Sequence, residues 1–527
     1  MSSQPLCFRI PDSQPQEQIL TALRGAFNLQ EEEERTLAQT YYDSFDWRLY
    51  GGGSVLRCER EGRERRLVWS DPGELHSRET QRLAGDPPRF GQDLPPGLMR
   101  EGLTPLLEMR ALLPQVEVKS RLLPLRVTNR DDKTVLRLTL EWHRSREPGR
   151  AEYHDLDGRL CLRPVRGYVK TLQRMQAFLG EELGLPRAES GLLQPALAAI
   201  GRRPADYTSR LDFHFLPETP AGVVAREIHL HLLDTIERNL PGTRADLDSE
   251  FLHDLRVAVR RTRSALTQIK GVFPPAAVES FGSRFAWVGQ ITGPTRDLDV
   301  YLLDYERYRD SLPEPFRADL DPLRDFLVVH QRQAHQEMVK RLNSPHFRGL
   351  LKEWRAFLEQ PPEADGEAPN ALRPVKEVAD RRIRRIYRRV LQEGSAIGDH
   401  SPPEALHDLR KSCKKLRYLM EFFQSLYPKK RIRPLIKALK GLLDNLGGFQ
   451  DLEVQAMKLR EFAHQMVAED AAPADTLLAM GMLVDGLLRR QQEARRRFAS
   501  EFEQFADPAR QRVFRELFPG KGRRAGG

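Results

Sequence analysis

The sequence predicts two structural classes in one chain, an α+β domain followed by an all-α domain. Residues 1–215 contain short runs in which apolar and polar side chains alternate, as in half-buried β-strands. From Pro220 onward, apolar residues recur at three- and four-residue spacing, which is the pattern of amphipathic helices. The length of 527 residues exceeds what one hydrophobic core usually serves, so at least two domains are expected.

The N-terminal domain is predicted to contain an antiparallel sheet with some helix. Alternation predicts three strands, at 54–60, 64–69 and 135–142. Glycine and proline predict turns at 51–53 and 71–73. The later segment 168–183 places Leu172, Met175 and Leu179 on one side and predicts a helix.

The C-terminal domain is predicted to consist of helices separated by proline and glycine. The expected breaks lie at 241–242, 274–275, 293–294, 313, 345, 401–403, 428 and 473. Residues 360–370 are rich in Pro, Gly and acid and predict a linker. We therefore expect domains at 1–215 and 216–519, the second with halves at about 218–360 and 371–519. Each half should contain roughly five helices, mostly antiparallel because the connections are short.

An internal repeat relates the two helical halves. Residues 251–266 have the sequence FLHDLRVAVRRTRSAL and residues 405–420 have ALHDLRKSCKKLRYLM, so that His407 follows His253 by 154 residues. At the same offset Gly293 corresponds to Gly447, and DLDV at 297–300 corresponds to DLEV at 451–454. Two matches at one spacing predict a duplication, with two similar helical bundles related by a pseudo-twofold axis.

Basic side chains form a row along each of the two repeated helices, beside the apolar seam. Steps of three and four residues keep the members of a row on one helix face. Row one is His253, Arg256, Arg260 and Arg263. Row two is His407, Arg410, Lys414 and Arg417, with Lys411 beside it. A helix predicted at 375–391 carries a further set, Arg381, Arg385 and Arg388. Like charges on one face repel, and a linear polyanion would relieve that repulsion along the whole row.

The charge balance and the residue types favour inorganic polyphosphate as the partner. Residues 1–217 carry 32 basic and 31 acidic residues, whereas the rest of the chain carries 52 and 44. Arginine matches phosphate oxygens with a planar fork, lysine adds point charge, and histidine can donate from either ring nitrogen. Ordinary solvated helix faces remain an alternative. Nucleic acid is another, although few aromatic residues accompany the rows to stack on bases.

Several other polar residues have weaker functional readings. Asp254 and Asp408 are expected to orient neighbouring arginines. The acids Asp297, Asp299, Asp451 and Glu453 could bind a divalent metal, but helix caps or partners for arginine are the expected roles. His229 and His231 lie among leucines and are expected to be packing residues.

The cysteines and the hydropathy limit the cellular context. Cys7, Cys58, Cys161 and Cys413 show no paired spacing, which predicts neither a disulfide framework nor a cysteine-based zinc site. A reducing cytoplasm is therefore expected. No apolar run approaches the roughly 20 residues that span a bilayer, so no membrane association is expected. No cofactor is expected either.

The helical motifs resemble the CHAD family, the conserved-histidine α-helical domain. The resemblance rests on HDLRVAVRRTRSAL at 253–266, TGPTRDLDVYL at 292–302, LHDLRKSCKKLRYLMEFF at 406–423 and LGGFQDLEV at 446–454. It covers about 300 residues and implies two helical bundles with a central basic groove. It also implies polyphosphate binding at the two rows and association with polyphosphate granules in the cytoplasm.

The first half resembles a degenerate CYTH domain, the fold of triphosphate tunnel enzymes. The resemblance rests on TYYDSFDWRLYGGGSVLRCER at 40–60 and RLTLEW at 137–142. Active members begin with alternating glutamates and a lysine, but residues 6–11 are LCFRIP, and the late acidic strand is replaced by RLCLR at 159–163. Glu141 is the one acid that fits the pattern. The resemblance thus implies a non-catalytic protein, with a residual metal-dependent triphosphatase as the alternative.

Overall fold

The computed structural model describes residues 6–11, 15–74, 77–362, 366–398 and 400–519. The chain divides into two compact units, Met1–Ser209 and Arg210–Gly527. This division falls a few residues before the limit at 215 that the sequence predicts. Among the helices of the described residues, none is both long enough and apolar enough to span a bilayer.

The first unit contains a nine-stranded antiparallel sheet with the order β1-β9-β8-β7-β3-β4-β5-β6, and β2 pairs with β7. The strands are β1 Leu6–Ile10, β2 Leu29–Glu31, β3 Arg35–Asp43, β4 Val55–Glu61, β5 Glu64–Ser70, β6 Ser77–Arg82, β7 Leu113–Thr128, β8 Thr134–Arg146 and β9 His154–Pro164. The helices are α1 Gln16–Ala26, α2 Arg48–Gly51, α3 Leu98–Leu107, α4 Val169–Ala177 and α5 Leu193–Ala199. The predicted α+β class is confirmed.

Alternation along the strands creates the core of this unit. Leu136, Leu138 and Leu140 of β8 are buried and pack in one cluster with side chains of α1 and α4. The strands predicted at 54–60, 64–69 and 135–142 are β4, β5 and β8. The helix predicted at 168–183 is α4, which continues into a π-helical turn at Phe178–Glu182.

The prediction that the chain has no disulfide is wrong. Cys7 of β1 and Cys161 of β9 lie opposite each other in register and form a disulfide bond. The spacing of the cysteines in the sequence does not reveal this pair, because it forms between the first and last strands of the unit, which are neighbours in the sheet. Cys58 and Cys413 are free and buried. The expectation of a reducing compartment loses the support that it drew from cysteine spacing.

The second unit is helical throughout its named elements. Its helices are α6 Ala221–Arg244, α7 Ser249–Gln268, α8 Pro275–Ile291, α9 Gly293–Leu303, α10 Tyr305–Ser311, α11 Asp321–Leu342, α12 Pro345–Glu359, α13 Val375–Ser395, α14 Pro403–Phe423, α15 Lys429–Ala468, α16 Ala474–Phe505 and α17 Pro508–Leu517. Within the described residues, seven helices precede the predicted linker, rather than about five, and five follow it. The predicted break at 241–242 lies inside α6, where Gly242 leaves room for Phe251; a Cβ atom there would be 2.3 Å from the Phe251 ring.

The duplication extends to whole helices. Helices α6, α7 and α8 begin at Ala221, Ser249 and Pro275, and α13, α14 and α15 begin 154 residues later, at Val375, Pro403 and Lys429. Pro220 forms a backbone bridge with Pro374, its own equivalent. The Tyr301 hydroxyl lies 3.5 Å from the carbonyl oxygen of its equivalent, Gln455. A residue that meets its own equivalent must lie near the symmetry axis, so these two contacts mark the pseudo-twofold axis.

The halves differ at one proline. A new helix begins at Gly293 after Ile291, because Pro294 lacks the N–H that would continue the hydrogen-bond ladder. The equivalent residue is Gly448, which keeps its N–H, and α15 continues through it as one helix of 40 residues. Helix α15 therefore corresponds to α8 and α9 together.

The two halves share their cores. The larger core contains side chains of α6 and α7 from the first half and of α13 and α14 from the second. A smaller core joins α9 to α11 with the end of α15 and the start of α16. Trp354 of α12 is fully buried in the larger core.

Candidate anion-binding groove

The two repeated helices α7 and α14 pack against each other. The basic rows lie beside the apolar seams of these helices. Helix α7 begins after Asp248, whose carboxylate accepts hydrogen bonds from the backbone N–H groups of Glu250 and Phe251. The apolar seams are buried, including Leu255 and Leu409, which are fully inaccessible. Burying the seams fixes the rotation of each helix, so the basic rows are left at the surface. We call the surface between these rows the groove.

Lys414 lies where the two rows meet. The pKa of Lys414 is lowered to about 8, first by burial and then by the nearby charges of Arg410, Arg260 and Arg417, whereas Asp451 opposes the shift. Arg260 belongs to the first half and the other two arginines to the second. The two rows therefore form one electropositive surface across the pseudo-twofold axis.

Arg256 and Arg410, at equivalent positions, have neighbouring helices as partners. Arg256 Nη1 donates to the Gly289 carbonyl at 2.9 Å and to Thr292 Oγ1 at 2.8 Å. Arg410 donates to Gln450 Oε1 at 2.7 Å and to Asp451 Oδ1 at 3.0 Å. These contacts tie each repeated helix to its neighbour.

A glycine lies beside each of these two arginines. A Cβ atom at Gly293 would lie 3.8 Å from the Arg256 Nη1, and one at Gly447 would lie 3.5 Å from the Arg410 Nη2. Both distances are ordinary van der Waals contacts, so the second match in the repeat places equivalent residues beside the arginines of the rows.

The histidines have different surroundings. Arg296 donates to His253 Nδ1 at 3.1 Å and to the Ser249 carbonyl at 3.1 Å, so Arg296 extends row one at its N-terminal end. His407 is half-buried on α14. Lys411 pairs with Asp408 at 3.2 Å, and the charge of Asp408 also contributes to raising the pKa of Arg389.

Glu421 connects the halves beside row two. It accepts from Arg417 Nε at 2.7 Å and lies 3.7 Å from Arg261 of α7. No prediction from sequence included Glu421, Arg261 or Arg296. The repeat gave no signal for Glu421, because its equivalent is Thr267.

Arg260 and Arg263 have no ion pair within the described residues, so they are the members of row one that can meet an anion.

The third predicted set lies elsewhere. Arg381, Arg385 and Arg388 of α13 line a separate cavity together with Lys415 of α14. Successive helix residues are about 100° apart, so Lys415 faces another side of α14 than Lys414. The sequence grouped these three arginines with the two rows as candidate polyphosphate-binding residues, and in the structure they line this cavity.

The acids near the groove act chiefly as partners. Asp451 pairs with Arg410, as expected. Asp299 accepts from Gln331 at 3.0 Å, and burial raises its pKa to about 6. Burial also raises the pKa of Asp297, against the effect of Arg256. Within the described residues, no three His, Cys, Asp or Glu side chains converge closely enough to hold a metal ion.

The predicted packing histidines lie in apolar surroundings. His229 is fully buried beside the Trp354 ring, with centroids 5.1 Å apart, and burial lowers its pKa to about 3. His231 packs edge-on against Phe213 at 5.2 Å. Both histidines thus contribute to packing, as the sequence predicts.

In the first unit, Glu141 has basic neighbours on the adjacent strand. Glu141 of β8 is in register with Arg159 of β9. Burial raises the pKa of Glu141 to about 7, whereas Arg159 and Arg163 lower it. His143 Nε2 lies 3.4 Å from Glu141, and burial lowers the pKa of His143 to about 3. The histidine is therefore neutral near pH 7.

Other acids of this unit, which the sequence did not single out, are also paired. Glu59 of β4 accepts from Arg57 at 2.8 Å and from Arg66 at 2.6 Å. Burial acts to raise the pKa of Glu59, but these two arginines lower it overall. Glu74 accepts a hydrogen bond from the Tyr41 hydroxyl at 2.7 Å. These carboxylates already have protein partners.

Comparison with known proteins gives matches in both parts of the chain. A family model of the CHAD domain matches residues 227–460. Two uncharacterized proteins from two strains of Mycobacterium tuberculosis are each 31% identical over 218 residues, which cover 38% of this chain and 39% of each relative. The alignment thus spans less than half the length of these relatives.

Among solved structures, the CHAD domain from the plant Ricinus communis is 24% identical, with a TM-score of 0.44; the match covers 60% of this chain and 97% of that one. HpAC1 from Hippeastrum, described as having a dominant triphosphatase activity, is 14% identical, with a TM-score of 0.26; the match covers 40% of this chain and all of that one. Both basic rows fall inside the family match. Residues 227–460 of this chain therefore match the CHAD domain family.

Proposed function

We propose that the helical unit binds inorganic polyphosphate along the groove. The observation that carries this proposal is the position of Lys414 close to both rows, since arginines of both rows lower its pKa. A linear chain with a charge on every unit can contact both rows at once. Linked contacts raise affinity through effective concentration, so long chains should bind far more tightly than short ones. The CHAD resemblance favours the same ligand.

Competition between polyanions tests this proposal. Labelled long-chain polyphosphate is bound to the full chain and displaced with unlabelled polyphosphate, DNA or RNA at equal phosphate concentration. We expect polyphosphate to compete best, because its flexible chain has no sugars or bases between the phosphates and can follow both rows, and because few aromatic residues accompany the rows to stack on the bases of a nucleic acid. Equal or better competition by nucleic acid would contradict the choice of polyphosphate as the ligand.

We further propose that the protein associates with polyphosphate granules in the cytoplasm.

We also propose that the protein is not an enzyme. Purified protein should release no phosphate from tripolyphosphate or nucleoside triphosphates with Mg²⁺ or Mn²⁺ above the background without protein. The reason is that Glu59 and Glu74 are occupied by protein partners and Glu141 faces Arg159. Turnover that disappears in Glu141→Gln would instead favour the residual triphosphatase.

The proposed binding should weaken as pH rises from 7 to 9. The pKa of Lys414 is lowered to about 8, so the free protein loses this positive charge within that range. Long chains are used because their internal phosphates keep their charge over this range. The matched variant is Lys414→Arg, which keeps the charge and should flatten the pH dependence. Identical pH profiles for parent and variant would exclude Lys414 as a contact.

A further inference from the structure

A basic cavity of about 940 Å³ lies between α13, α14 and the end of α7. Six arginines and two lysines line it, against one acid, Glu393. That acid is already paired with Arg389 at 2.6 Å. The cavity therefore concentrates positive charge with one acid in its lining for eight basic residues.

The walls of this cavity are fixed by buried contacts. Arg382 is 8% exposed, and it donates to the Gln268 carbonyl at 2.8 Å and to Gln268 Oε1 at 3.0 Å. Burial and the neighbouring Arg385 lower the pKa of Arg382. Arg381, Arg384, Arg385 and Arg388 line the same space and have no ion pair in the part of the chain that the structure describes. Their guanidinium groups are available to an anion.

Comparing equivalent positions of the two halves distinguishes this cavity from the groove. Groove positions keep their positive charge in both halves, since Arg260 corresponds to Lys414 and Arg263 to Arg417. The positions of α13 that line the cavity do not keep their positive charge in the first half. In α6 the equivalents of Arg381, Arg385 and Arg388 are Glu227, His231 and Asp234. The arginines that α13 contributes to the cavity thus have no basic counterparts at these positions in the first half.

The size and lining of the cavity indicate its ligand. Its volume lies in the range of about 300–1,000 Å³ that is typical of small-molecule sites. None of the described residues that line it is aromatic, so it offers no ring for a base to stack on, whereas Ser412 and Gln392 can add hydrogen bonds to oxygens. Arginine forks match phosphate oxygens.

We propose that this cavity is a second anion site, which binds a compact ligand with several phosphate groups through those phosphates alone. It is distinct from the groove, which is proposed to bind long chains. A short inorganic oligophosphate and a nucleoside triphosphate share this chemistry. Because no aromatic side chain lines the cavity, the two should bind with similar affinity.

Calorimetric titration of the full chain with tripolyphosphate tests the proposal. In the cavity variant, Arg381→Ala, Arg385→Ala and Arg388→Ala are combined, and we expect at least tenfold weaker binding. The matched control removes three exposed arginines of α16, through Arg489→Ala, Arg490→Ala and Arg496→Ala, and should bind as the parent does. The single variant Arg385→Glu, at an exposed position, gives the same test if the triple variant does not fold. Titration with ATP should give the parent affinity within a fewfold.

The groove proposal can fail independently. A variant with Arg260→Ala, Arg263→Ala, Lys414→Ala and Arg417→Ala should keep the tripolyphosphate site while losing long-chain binding. If the cavity variants bind tripolyphosphate as the parent does, the cavity is not an anion site, whatever the groove binds. Binding of ATP that greatly exceeds tripolyphosphate would also overturn the proposal, because the base would then be recognised.

Discussion

Removing four charges from the groove should nearly abolish long-chain polyphosphate binding. The variant combines Arg260→Ala, Arg263→Ala, Lys414→Ala and Arg417→Ala, two from each row. Each basic side chain close to an anionic surface contributes about 1 kcal/mol. The four together therefore predict a loss of about 4 kcal/mol, or roughly 1,000-fold in affinity. Arg256 and Arg410 are kept, because they connect helices and their loss would also affect folding.

Salt dependence provides the second readout for this variant. Binding that releases counterions weakens linearly with the logarithm of salt concentration, and each lost phosphate contact reduces that slope by about one. The matched control carries Arg489→Ala, Arg490→Ala, Arg496→Ala and Arg497→Ala on α16, which remove the same charge elsewhere. If both variants bind alike, net charge rather than the groove governs binding. If the groove variant binds as the parent does, the rows are ordinary solvated faces.

Replacing Trp354 by alanine should destabilise the helical unit by about 3–5 kcal/mol, the range for large aromatic residues in a core. The Trp354 ring is fully buried, stacks on Phe357 at 5.5 Å and contacts Phe281 at 4.5 Å. Truncation removes these contacts and leaves a cavity. Denaturant unfolding, followed by the loss of helical signal, measures the change.

The matched control for this change is Phe316→Ala, at a position that is 36% exposed. A surface substitution of this kind should alter the free energy of unfolding by less than about 0.5 kcal/mol. An equal effect of both substitutions would mean that the aromatic cluster around Trp354 does not hold the helical unit together. Polyphosphate affinity of the folded Trp354→Ala protein should be unchanged, because the groove lies on other helices.

The repeat made the helical unit largely predictable from sequence. One offset of 154 residues identified the equivalent helices and both basic rows, because duplicated segments keep the residues that define a helix face. Residues without an equivalent were not predictable this way. Glu421, which joins Arg417 to Arg261, and the pair Cys7–Cys161 depend on which elements pack together. Periodicity carries no information about such neighbours.

The grouping of Arg381, Arg385 and Arg388 with the rows illustrates the same limit. Spacing correctly placed these residues together beside the seam of one helix, but it could not say which neighbouring helix that side would face. In the structure they face a cavity with Lys415, whereas Lys414 faces the groove. One residue along a helix turns the side chain by about 100° and here assigns neighbouring lysines to different surfaces.

The shared cores determine how the helical unit can come apart. Helix α15 contributes Leu439 and Leu446 to the larger core and Leu459 and Met466 to the smaller one. Helix α16 likewise joins both, through Leu483 and Phe502. Neither half of the repeat can therefore keep its apolar faces out of water without the other. The two sequence halves are equivalent by descent, but in folding they form one cooperative unit, in which the melting of either core removes the support of the other.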